Sequence, residues 1–118
     1  MLITVLSAVH AALTVPLLPA PSHISPPCAT FRYYPGECDG VKQTAVVTVR
    51  SFATTVEAAA LELSRVRRAL VSDGDEGKIG DADNPLLVRE ISDRSNVGFV
   101  RGTSAYFIQA SFHITGRA

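Results

Sequence analysis

Apolar and polar residues alternate along the chain with two different periods. Large apolar groups fall at Leu2, Val5, Leu6, Val9 and Leu13. That spacing places them on one face of a helix. A signal sequence is the competing reading of this stretch, but no Lys or Arg precedes the apolar run, and a signal n-region needs one. Residues 14–27 carry Pro16, Pro19, Pro21, Pro26 and Pro27. Proline lacks the amide donor and fixes φ, so neither helix nor central strand is expected there. An extended arm or surface loop is.

Residues 28–34, CATFRYY, alternate with period two and are rich in aromatics, which predicts a strand. Pro35-Gly36 and Asp39-Gly40 are turn signals. A second strand follows over 41–50, VKQTAVVTVR, with Ala45, Val47 and Val49 on one face and Thr44, Val46, Thr48 and Arg50 on the other. The clearest helix is predicted over 55–72. Thr54 and Glu57 have the spacing of a capping box, and Gly74 is placed to terminate the helix. Ala59, Leu63, Val66 and Leu70 make its buried stripe, with Glu62, Arg65 and Arg68 opposite. Residues 73–84, DGDEGKIGDADN, read as an acidic mobile loop. A strand at 86–92, a connection over 93–104 and a final strand over 105–115 follow. In that last strand Tyr106, Ile108, Ala110, Phe112 and Ile114 point one way, and Phe107, Gln109, Ser111, His113 and Thr115 the other.

The expected fold is therefore α+β, in the order α-β-β-α-β-β. It is a mostly antiparallel four-stranded sheet with both helices on one face, in a single domain over 1–118. Its second sheet face is half-polar, either solvated or covered by another subunit.

Charge and composition narrow the function. Eleven Lys+Arg balance eleven Asp+Glu, so net charge is zero. This argues against a nucleic-acid binder and a polybasic membrane-surface protein, and no run approaches the about 18 apolar residues of a membrane span. Cys28 and Cys38 are compatible with two reduced thiols or with one bridge across a hairpin. A metal site joining His23 to both would have only three irregularly spaced ligands. The acidic loop departs from the EF-hand pattern, with Gly77, Lys78 and Asn84 where ligands or the turn glycine are needed. GDEGKIG lacks Walker spacing and follows a helix. His10, His23 and His113 belong to no catalytic motif, so no enzyme and no cofactor is expected.

The basic run SRVRR is open to two readings: a solvated helix end, or a patch that meets an acidic neighbour. On the second reading the contact residues are Arg65, Arg67 and Arg68 against Asp73, Asp75 and Glu76, with Arg101 and Gln109 on the last-strand side.

Three segments together resemble the tail terminator proteins of long-tailed bacteriophages, also called tail completion or minor capsid proteins. They are the N-terminal helix running into a proline arm, the passage TAVVTVRSFATTVEAAALELSRVRRAL, and NVGFVRGTSAYFIQASFHITGR. Within the last, Gly98, Phe99, Arg101, Gly102, Phe107, Gln109 and Ala110 match a passage common near the family's C-terminus. The long proline arm and CATFRYYPGEC depart from the family. The resemblance implies a virion protein at the tail–neck junction, made in the host cytoplasm. It would form a homo-oligomeric ring, usually a hexamer, that caps the tail tube and meets the head-side connector. A head-completion or stopper protein of the neck is the nearest alternative, and a ferredoxin-like ligand-binding regulatory domain is the next.

Overall fold

The computed structural model describes residues 1–19, 25–91, 97–101 and 105–117. Among these residues two helices and seven strands follow one another: α1 (Leu2–Ala12), β1 (Leu17–Pro19), β2 (Cys28–Cys38), β3 (Lys42–Ala53), α2 (Val56–Leu70), β4 (Glu76–Ile79), β5 (Leu86–Glu90), β6 (Val97–Phe99) and β7 (Tyr106–Arg117). They form one mixed sheet in the order β1-β2-β3-β7-β5-β4, with β6 pairing β7 beyond the end of β5. The expected four-stranded antiparallel sheet is thus corrected to seven strands, and β1 and β2 run parallel.

The three additional strands are short and lie where periodicity is weak. Strand β1 sits inside the proline segment. It is tolerated there because it is an edge strand, where a missing donor breaks no ladder. Strand β4 lies in the segment expected to be an acidic loop. Gly74, at φ +72°, opens a two-residue turn in which Asp73 and Glu76 exchange backbone hydrogen bonds of 2.9 and 3.2 Å. Glycine at the first central position suits that turn. Gly74 therefore makes a hairpin turn and not the helix end, which comes at Leu70. At Gly77 any side chain would collide with the Leu70 carbonyl, so glycine lets β4 lie against the end of α2. Strand β6 has three residues, next to residues 92–96 and 102–104, which fall outside the described set together with most of the expected 93–104 connection.

Local signals shift by small amounts elsewhere. The N-cap of α2 is Thr55 in place of Thr54, and its side chain accepts the Ala58 amide at 3.2 Å. Pro35-Gly36 does not turn the chain. Strand β2 continues to Cys38, and a register shift between Pro35 and Cys38 absorbs the irregularity. The turn comes at Asp39-Gly40. There the Asp39 carboxylate accepts the Lys42 and Val41 amides at 2.7 and 3.0 Å, which holds its carboxyl below the usual range.

The core lies between the helices and one sheet face. Register aligns Val47 with Phe112, Val49 with Ala110, and Ala45 with Ile114, all on that face and all buried. Ala59, Leu63, Val66 and Leu70 of α2 close over them, joined by Val5 and Val9 of α1 and by Leu86 and Val88 of β5. Leu63 is fully buried, whereas Leu61, two residues away, is 52% exposed. Leu63→Asp should therefore cost several kcal/mol, much of the about 5–15 kcal/mol that holds a small domain together. Leu61→Asp should leave the urea unfolding midpoint nearly unchanged. Equal midpoints for the two variants would refute this face of α2.

Candidate assembly surfaces

The flanks of α2 hold two buried carboxylates. Glu62, expected on the solvent side, is 7% exposed. Its Oε1 accepts both the amide and the hydroxyl of Thr14 at 2.7 Å, and its Oε2 accepts Arg65 Nε at 3.1 Å. It ties the segment after α1 to α2. On the opposite flank Glu90 of β5 accepts Arg67 Nε through both oxygens, at 3.2 and 3.0 Å. A desolvated carboxylate needs such partners, because burial without them costs several kcal/mol.

The expected contact cluster is consequently divided. Arg67 is engaged with a residue of its own chain and is a structural group. Arg65 bonds Glu62 but keeps 41% of its side chain exposed, and Arg68 is exposed. Asp73, Asp75 and Glu76 are exposed on the turn that opens β4. Among the described residues no ion pair joins these carboxylates to the α2 arginines. Arg101 is exposed just after β6, far along the chain from α2. Gln109 lies on β7, half-buried, and accepts Arg50 Nε at 2.8 Å.

The cysteines occupy opposite ends of β2, ten residues apart. At roughly 3.3 Å per residue they are far too distant for a bridge or a shared metal ion. Both are free thiols, and burial pushes the Cys28 thiol above its ordinary pKa. His23, the third member of the metal reading, lies outside the described residues.

The sheet face away from the helices is open. Pairing register places Arg32, Lys42, Arg50, Lys78, Arg89 and Arg117 on it, all exposed, with Glu37 and Glu76 the carboxylates among the strand residues there. Zero net charge therefore conceals a basic surface. Two of its arginines are held in place by neighbours. The Arg50 guanidinium lies 4.9 Å from the Phe107 ring centre, and Arg32 lies 5.9 Å from that of Tyr34 while donating to its hydroxyl at 3.1 Å. The sequence reading expected a half-polar face here, solvated or covered by another subunit, but not its concentration of cations. The two-residue period gives Lys42 the parity of Arg50, and Arg117 that of Gln109, but strand pairing puts them on one surface.

The helix side has an apolar groove. The six-strand path spans about 24 Å at 4.8 Å per strand, and two packed helices cover roughly 20 Å. The β1–β2 edge is therefore only partly covered: Cys28 to Phe31 are buried, while Leu17, Leu18 and Tyr33 remain half-exposed. A cavity of about 790 Å³ opens there between α1 (Leu2, Leu6, His10) and Leu17, Leu18 and Tyr33. On the far side of β7, Val97 and Phe99 of β6 are about half exposed, and Phe99 meets Tyr106 edge-on at 5.0 Å.

No family model and no curated protein matches this sequence. Among the described residues no helix is long and apolar enough to cross a membrane.

Two measurements check the division of roles. Arg67→Ala should destabilise the chain by about 3–5 kcal/mol, the range for breaking a buried pair, and Arg68→Ala by no more than about 0.5 kcal/mol. Equal urea midpoints would show that the Glu90 contact is not structural. A maleimide at neutral pH should label Cys38 at once and Cys28 only on unfolding, because the reactive species is the exposed thiolate. Equal labelling rates would contradict the burial of Cys28.

Proposed function

We propose that this chain is a structural virion protein, a tail terminator of a long-tailed phage. It assembles with copies of itself into a ring, of six subunits by the resemblance, caps the tail tube and offers its other side to the head-side connector. The observation that carries the reading is the mismatch between the sheet and its helical layer. It leaves an apolar groove at the β1–β2 edge and exposed Val97 and Phe99 at the opposite side of the sheet. Apolar surface of this kind gains free energy when a partner excludes water from it. Unlike surfaces on two sides suit a head-to-tail contact, which closes a ring when the rotation per subunit permits.

The resemblance supports the specific role. Gly98 packs directly on the Phe107 ring and Gln109 holds Arg50, so three of its matching residues build one local arrangement around Arg50. Gly102, a fourth, lies outside the described residues.

The test is end-capping. Tube protein from the same genome is polymerised with and without the full chain and viewed by negative-stain electron microscopy. Added chain should sit as a ring at one tube end and halt elongation there. Tubes of unchanged length with bare ends would overturn the assignment.

A further inference from the structure

We infer that the basic open face of the sheet is the docking surface for the acidic β4 rim of a second copy of this chain. The inference rests on the ring reading and adds to its apolar surfaces a charged contact between copies. Charge complementarity carries it. Six cations share the open face with two strand carboxylates, Glu37 and Glu76. The compensating charge sits at the turns on either side of β4: Asp73, Asp75, Asp81 and Asp83 are exposed, and none has an ion-pair partner among the described residues.

Part of the face is already balanced within one chain, where Lys78 and Arg89 share a pocket with Asp73 and Glu76, and Arg117 one with Asp83; Arg32 and Arg50 have no such carboxylate beside them among the described residues. Strand β4 is the outermost of its edge, and three strand spacings, about 14 Å, separate it from β3, where Arg50 stands. A second copy can bring its rim carboxylates to Arg32 and Arg50, which have no ion-pair partner among the described residues. Arg50 and Arg32 are suited to be the anchors. Each guanidinium is already laid against an aromatic ring and hydrogen-bonded to a neighbour, so little side-chain freedom is lost when a carboxylate arrives. The contact joins unlike surfaces, face to rim, and is heterologous.

The experiment uses two variants of the full chain. One carries Arg32→Glu and Arg50→Glu, the other Asp73→Lys and Asp75→Lys, and all four side chains are exposed. Mass is measured by light scattering at low and high salt, and thermal melts check folding. The parent should self-associate and weaken as salt rises. Each variant alone should associate at least tenfold more weakly, because like charges then meet. An equimolar mixture should regain the parent's mass, since each Glu face then finds a Lys rim and each Arg face an Asp rim. Should either variant melt early, the neutral versions Arg32→Gln with Arg50→Gln and Asp73→Asn with Asp75→Asn replace it, with weakened association expected of each. Parent-like mass and salt dependence in either variant would overturn the contact, as would failure of the mixture to reassociate. So would salt-sensitive binding of a DNA oligonucleotide that the Arg variant loses while its oligomer is unchanged. A parent that caps tubes but is monomeric at every salt concentration would sink this contact and leave the tail-terminator reading in place.

Discussion

The seating of α2 on strands β3 and β7 decides everything else in this molecule. Leu63, Val66 and Leu70 lie over Val47 and Phe112, all fully buried. Once that face of the central strands is dry, the two-residue period of a strand commits every other residue to the opposite face. The open face with its arginines is thus a direct consequence of where the apolar side chains had to go.

The helix is then held from slipping by its flanks. On one flank Glu62 of α2 accepts from Thr14 of the segment after α1, and on the other Arg67 of α2 donates to Glu90 of β5. Ionic groups with few alternatives once desolvated select one placement of neighbouring elements over others. The same geometry sorts the arginines. Arg67 points along the sheet toward β5, and Arg68, one helical step on, is exposed. A run of three cations at the end of a helix therefore holds a structural group and a free one side by side.

Two properties of the surface follow from shape and register. A sheet six strands wide is not fully roofed by two helices, so an apolar groove remains between α1 and the β1–β2 edge, beside the buried start of β2. A neutral chain can carry a basic face when its acidic residues gather in turns, and here the turns flanking β4 hold them. Both features are exposed surface that the proposed ring would cover.

Much of this was legible in the residues. The stripe of α2, the alternation of β7 and the Asp39-Gly40 turn are set by periods and turn chemistry that act within a few residues of one another. The strands β1, β4 and β6 were not legible. Each has five residues or fewer, lies at an edge or a strand end, and buries too little to impose a pattern; only pairing with a neighbour far away in sequence defines it. The buried roles of Glu62 and Glu90 were hidden for the same reason, since nothing local marks a glutamate whose partner is 48 or 23 residues distant. The basic face lay in between. Parity along each strand was readable, but which strands stand side by side, and so whether their cations form one surface, is settled by tertiary pairing, because charge adds across a surface and not along a chain.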